Sequence, residues 1–353
     1  MAEQPRLKFK VRCPHCNQMF IVNATMEEAI KTEPVVPPRP AASPPSPPSP
    51  PPLSAAPPRP APEPIEEERE LTPEEEDFRD RIVKAILARD FELPMLPHVA
   101  LKVIRLSSDP DASMQDLAKV ILTDQTIAAK ILQIANSPVY AAITEISNIN
   151  QALVRLGQAE VKNLMLAISL GTKIFKSRLY GRLAKTLWEK AVGVAFAARV
   201  LATKLNADRD ESFLCGLMHN IGRMIALSIL EKAQHEVGSD FRPPESMAIG
   251  ILDQYHRDIG ELTVAKWALP PVVGTVIAHF ETPQNQTTPQ RVVSVISLAD
   301  VFCRQAGIGL AAPEEIDLAS HPATRLLRLE PALGKEMFDR FVQIFASAKN
   351  EFL

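Results

Sequence analysis

Residues 215–223 read Cys215-Gly-Leu-Met-His219-Asn220-Ile-Gly222-Arg223, a histidine and an amide between two glycines in apolar surroundings. Apolar positions recur at helical spacing around this stretch, and one helix is expected over 210–232. The same period continues on both sides, near 158–175 and 181–205 upstream, and near 245–267, 271–280, 290–305 and 331–350 downstream. Further upstream, Asn150 begins a helix that Gly157 ends, a common place for glycine. Asp124 caps a helix with Ile127, Ile131, Leu132 and Ile134 inward, and Ser113 caps one with Leu117, Val120 and Ile121 on one face. Leu93-Pro-Met-Leu-Pro97 is an extended entry, and Pro97 starts a helix through Leu101, Val103, Ile104 and Leu106. Thr72-Pro73-Glu74-Glu75 is a capping box with proline at the first helical position. It opens a helix to about Arg89, carrying Phe78, Ile82, Val83, Ile86 and Leu87. No convincing alternating strand follows residue 30, so the fold class is all-α, a domain of packed helices.

Before this domain the composition changes. The chain has 353 residues, 32 of them proline, and sixteen of the prolines lie between Pro34 and Pro64. No glycine occurs before Gly157. Such a stretch cannot build a core, and residues 31–71 are expected to be a disordered, polyproline and acidic linker. Its Pro44-Pro-Ser-Pro47-Pro-Ser-Pro50-Pro-Pro52 run has the PxxP form that aromatic grooves bind, although a plain spacer is the simpler reading. Nine acids and one arginine fall between Glu63 and Asp77. The formal charge of −3 therefore leaves +5 on the rest of the chain, the difference between −3 and −8. A net charge this small argues against strong steering toward nucleic acid. No run of 18 apolar residues suggests a membrane span, and the N-terminal MAEQPRLKFKVRCPHC has no signal-peptide core. Four cysteines do not make a disulfide framework, and Cys215 and Cys303 read as core thiols, so a reducing, cytoplasmic setting is expected.

Residues 1–30 read as a separate small unit. Phe9, Val11, Phe20, Ile21 and Val22 flank Cys13-Pro-His-Cys16, which suggests a β-hairpin with a knuckle at its tip. Cys13 and Cys16 have the spacing that converges two thiolates on zinc. A structural zinc needs four ligands, and His15 lies inside the same turn, so the remaining ligands would come from elsewhere or from a partner chain. A degenerate knuckle with free thiols is the alternative. The segment resembles half of the zinc-ribbon knuckles at the N-termini of some bacterial regulatory proteins.

The helical domain resembles the HDOD family over about 93–305. The resemblance is carried by Leu93-Pro-x-Leu96-Pro97, by Asp124-x3-Ala128-x2-Ile131-Leu132-x-Ile134-Ala135-Asn136-Ser137, and by Ile149-x2-Ala152-Leu153-x2-Leu156-Gly157. It continues through Leu187-Trp188, Gly216-Leu-Met-His219-Asn220-Ile-Gly222-Arg223, Tyr255-His256-x3-Gly260, Lys266-Trp267-x-Leu269-Pro270 and Ser297-Leu-Ala-Asp300. The resemblance implies a helical domain related to HD-type metal phosphohydrolases, regulatory in role and mostly without their metal site, with members in bacterial signalling. In the hydrolases an earlier histidine, a His-Asp pair and a later aspartate hold a divalent ion that activates water. Here Lys190 stands two positions after Trp188, where the first histidine belongs, and Asn220 replaces the aspartate of the pair. His219 and Asp300 match, and His279 is followed by Phe280 and Glu281, without a second histidine. A protonated lysine cannot ligate a metal, so the resemblance implies a degenerate site at Lys190, His219, Asn220 and Asp300. Lys190 is expected either to set its ammonium against Asp300 and hydrogen-bond His219 or Asn220, or to lie exposed on an amphipathic helix.

The expected role is a bacterial, cytoplasmic, non-enzymatic signalling protein that binds a protein or a small signalling ligand, with no cofactor in the helical domain. A divergent metal phosphohydrolase acting on nucleotides or cyclic nucleotides is the first alternative. A DNA-binding regulator is the second, because residues 113–136 have the outline of a helix-turn-helix. Its second helix offers only Gln125, Lys130, Gln133 and Asn136 to a groove. Trp188 and Trp267 read as core residues, with a ligand pocket as the alternative. The final helix, with Met337, Phe338, Phe341, Ile344 and Phe345, reads as packed on the domain, with a dimer seam as the alternative.

Overall fold

The computed structural model describes residues 7–12, 19–24 and 70–353, except 96–97, 108, 110, 137–144, 174–178, 239, 289, 311 and 353. The chain divides into two compact units, Met1–Ala61 and Pro62–Leu353. In the first, strands β1 (Leu7–Arg12) and β2 (Met19–Ala24) pair antiparallel, with Leu7 opposite Ala24 and Arg12 opposite Met19. Cys13, His15 and Cys16 lie outside the described residues, as does nearly all of the proline-rich stretch.

Every regular element among the described residues of the second unit is a helix. It runs α1 (Pro73–Leu87), α2 (His98–Ser107), α3 (Met114–Leu122), α4 (Gln125–Ala135), α5 (Ile149–Leu156), α6 (Gln158–Lys173) and α7 (Gly181–Lys204). There follow α8 (Arg209–Met218), α9 (Ile221–Val237), α10 (Glu245–Lys266), α11 (Pro271–His279), α12 (Arg291–Gln305), α13 (Pro322–Leu327) and α14 (Pro331–Phe352).

Local chemistry sets the helix starts. At α1 the Thr72 hydroxyl accepts from the Glu75 N–H while the Glu75 carboxylate accepts from the Thr72 N–H. Ser113 and Asp116 make the same reciprocal pair at α3, and Asp124 caps α4 through the N–H groups of Thr126 and Ile127. Each cap contributes about 1 kcal/mol. The cap of α5 is Asn148, not Asn150: its side chain accepts from the Gln151 N–H at 2.9 Å. Gly157 ends that helix at φ +82°.

The central element is α7. It is buried on nearly every side, and α8, α9, α12 and α14 pack around it. A helix apolar all round belongs in the middle of a bundle. Its alanines let neighbours come close: a Cβ on Gly216 of α8 would stand 2.7 Å from the Ala195 Cα. The α9–α10 contact is tighter still, since a Cβ on Gly222 would stand 1.8 Å from the His256 carbonyl oxygen.

These two contacts explain a difference from the sequence expectation. Residues 210–232 do not form one helix; the axis breaks at His219 and Asn220. One glycine presses α8 on α7 and the other presses α9 on α10, so the chain must turn between them. Arg209–Val237 as a whole has the length and apolarity of a membrane span, yet most of it is buried within the bundle.

The apolar face of α14 is used inside the chain. Met337 and Phe341 are fully buried, Phe341 stacks on Phe302 of α12, and Phe345 meets Phe196 of α7. Burying a phenylalanine side chain contributes about 1.5–3 kcal/mol. Trp188 and Trp267 are buried as well, and Trp188 packs directly against Gly171 of α6.

Candidate functional site

The packing of α7 against α12 brings Lys190 to Asp300. The Lys190 Nζ stands 2.8 Å from the Asp300 Oδ1, with the two side chains only 18% and 12% exposed. On the other oxygen, Arg304 donates from Nε to the Asp300 Oδ2 at 3.1 Å, one turn along α12. Asp300 is therefore clasped by two cations. Burial alone would raise its pKa, but Lys190, then His219 and Arg304, hold it below the ordinary value. The sequence alternative of an exposed Lys190 is not what the fold shows.

His219 lies at the break between α8 and α9 and has no exposure to solvent. Its Nδ1 is 2.6 Å from the Gly216 carbonyl oxygen, so the proton sits there and Nε2 carries a lone pair. That Nε2 has no hydrogen-bond partner among the described residues. The Phe280 ring meets the imidazole edge-on at 5.1 Å. Burial brings the His219 pKa down to about 4; Asp300 opposes this and Lys190 adds to it. The ring is thus neutral near pH 7.

Asn220 does not join the pair. Its Oδ1 accepts from the Arg223 Nη1 at 2.8 Å. Arg223 also donates to Asp253 at 2.8 Å and to Glu281 at 2.9 Å. Glu281 further accepts from Arg257 at 2.6 Å, with His256 Nε2 3.5 Å away. Burial would raise the Glu281 pKa, but the neighbouring His256, Arg223 and Arg257 outweigh it and hold the carboxyl well below its usual range. Neither Arg304 nor this arginine-acid network figured in the sequence reading. The i,i+4 spacing of Asp300 and Arg304 was a signal that could have found the first. The second joins three segments distant in sequence and left no local pattern.

The donor set does not fit a divalent metal of the HD type. The His219 Nε2 offers a free lone pair, but Asp300, the other matching ligand, already faces two cations. The Lys190 nitrogen is an ammonium in contact with Asp300, and the Asn220 oxygen is turned to Arg223. Among the described residues no group of three or more His, Cys, Asp or Glu is arranged to hold a metal.

Asn136 and the two cysteines expected in the core take structural roles. Asn136, at the end of the second helix of the 113–136 pair, brackets Ile146: its Nδ2 donates to the Ile146 oxygen and its Oδ1 accepts from the Ile146 N–H. A side chain committed this way is withdrawn from any groove. Cys215 and Cys303 are fully buried, and burial pushes both thiols well above their usual pKa. Separately, α1, residues 90–95 and α9 line an open cleft of about 570 Å³, apolar at Phe78, Ile82, Phe91 and Ile229.

Comparison with known proteins bears on this geometry. The model of the HDOD domain matches residues 93–283. Three solved structures resemble the chain in fold. One is an HDOD domain protein of unknown function from Geobacter sulfurreducens, 20% identical, with a TM-score of 0.60 over 78% of this chain and 99% of that one. Another is a candidate metal-dependent phosphohydrolase from Shewanella amazonensis, 22% identical, with a TM-score of 0.61 over 79% of this chain and 99% of that one. The third is a candidate signal transduction protein from Marinobacter aquaeolei, 24% identical, with a TM-score of 0.58 over 79% of this chain and 65% of that one. An uncharacterised protein of Treponema pallidum is 26% identical over 232 residues, which is 64% of this chain and 44% of that protein. The chain thus spans less than half of that curated relative's length.

Proposed function

The chain belongs to the HDOD family, and on that premise we propose that it is a non-catalytic regulatory protein of bacterial signal transduction, working by binding a protein or a small signalling ligand. The observation that carries the reading is the Lys190–Asp300 ion pair at 2.8 Å. An acid that the hydrolases use to hold a dication here holds an ammonium from the neighbouring helix and a guanidinium from its own. An aspartate neutralised by fixed cations keeps its charge balance without any added ion. The site has become part of the scaffold, and binding is left to other surfaces.

The proposal includes a cytoplasmic setting, a protein partner, and no role for membrane or nucleic acid. It also keeps Cys13 and Cys16 as half of a zinc site, to be completed by ligands from another segment or chain. A second reading, a divergent metal-dependent phosphohydrolase, draws support from the buried His219 Nε2, which has no hydrogen-bond partner among the described residues.

Elemental analysis of the purified full-length chain, run beside phosphodiester turnover of a chromogenic ester and of cyclic nucleotides, separates the two. The proposal expects no turnover above a buffer control at any added Mg²⁺, Mn²⁺ or Fe²⁺. Stoichiometric metal in the helical domain together with metal-dependent turnover, lost in His219→Gln, would establish the second reading instead.

A further inference from the structure

The last helix closes over the C-terminal end of α7 and the start of α8, leaving a cleft of about 190 Å³. Its floor is apolar, formed by the buried Phe196, Val200 and Met337. Its walls carry four cations, Arg199, Lys204, Arg209 and Arg340, against one acid, Glu336. Such a concentration is unusual in a chain with a formal charge of −3. The four come from three helices, so the fold gathers them.

Among the described residues, Arg199 alone of the four is in an ion pair, with Glu160 of α6. Among the described residues no carboxylate lies within ion-pair distance of Lys204, Arg209 or Arg340. Two acids beside Arg209 are engaged elsewhere. Asp208 caps α8 through the N–H groups of Asp210 and Glu211, and Asp210 accepts from Asn163. Lys204, Arg209 and Arg340 are all exposed, so they stand as a positive patch on the cleft wall, open to an anion from solution. Two arginines offer the forked donors that match a phosphoryl group, and the apolar floor suits an uncharged portion beside it. The volume lies below the range of roughly 300–1,000 Å³ usual for whole drug-sized ligands, so it fits a small phosphate ester or the phosphorylated end of a larger one. Helix α14 lies beyond the matched residues 93–283, so this cleft is not built from the family's shared region alone.

We infer that the α7–α8–α14 cleft is a binding site for a phosphomonoester dianion carried by a small molecule. The inference rests on the ligand-binding form of the regulatory reading and gives it a place and a chemistry.

Isothermal titration calorimetry and thermal denaturation of the full chain test it with three probes: inorganic phosphate, AMP and a phosphoserine peptide. Binding of phosphate or AMP is expected, weakening as salt rises. Arg209→Ala/Arg340→Ala is expected to lower the AMP affinity at least tenfold without lowering the unliganded melting temperature. Lys232→Ala, on α9 outside the cleft, should bind as the wild type. No binding of either small probe, or AMP binding undiminished in the double variant, overturns the inference. Binding of the phosphoserine peptide alone overturns it too, because it assigns the cleft to a protein partner. Failure here leaves the non-catalytic reading standing, whereas metal-dependent turnover would remove that reading and leave the cleft in place.

Discussion

Replacing Lys190 by methionine keeps most of the side chain's length and removes its charge. Asp300 would then rely on Arg304 alone in a nearly closed setting. Breaking one partner out of a buried pair costs about 3–5 kcal/mol, and with Arg304 still present the lower end, about 3, is the expected loss in urea denaturation. A change under about 0.5 kcal/mol would show the pair to be incidental. His219 has a different signature. The unfolded chain protonates this residue near pH 6.5, while the folded chain does so only at about 4. The unfolded state therefore binds more protons between those values, and stability falls as pH falls through that window. From about pH 7 to about 5 the loss should be about 2 kcal/mol, and His219→Gln should flatten it. Asp300, held below its ordinary pKa, adds a loss only below about pH 4. Part of this site was legible in sequence, because a lysine at a ligand position must put its charge somewhere. The direction of Asn220 was not, since Arg223 turns it away through a network assembled only by the fold.

Helix starts could be read where a side chain caps its own backbone, as at Thr72, Ser113 and Asp124, because that chemistry is local. The break between α8 and α9 could not. Apolar spacing runs through it unbroken, and its cause is contact with two other helices at Gly216 and Gly222. The short α13 was missed for a related reason: six residues are too few to show a period. Gly222→Ala tests the tighter of the two contacts. The added methyl would meet the His256 carbonyl, which is main chain and cannot swing aside. Overpacking of this kind costs about 1–3 kcal/mol and more when backbone must move, so a loss of about 3 kcal/mol or more is expected in urea denaturation. A variant within about 1 kcal/mol of wild type would mean that α9 and α10 part easily.

The buried core extends beyond the residues of the family match. Helix α1 lies before residue 93, yet Phe78, Ile82 and Ile86 are buried, and Phe78 meets Phe241 edge-on at 4.9 Å. Helix α12, with Asp300, and helix α14, with Phe341, lie after residue 283. A fragment of residues 93–283 should therefore lack a sharp thermal transition, while a fragment of residues 70–353 should keep one. A cooperative transition in the shorter fragment would mean that the flanking helices are accessories. The seam between α7 and α12 has one further consequence. The Cys303 sulfur sits in it, so close to Gly193 that an added Cβ would lie only 3.1 Å away. No alkylating reagent can reach that thiol until the two helices part, and its ionisation is suppressed while they are together. The molecule thus carries its own chemical clock, one that ticks only when the helices holding Lys190 and Asp300 separate.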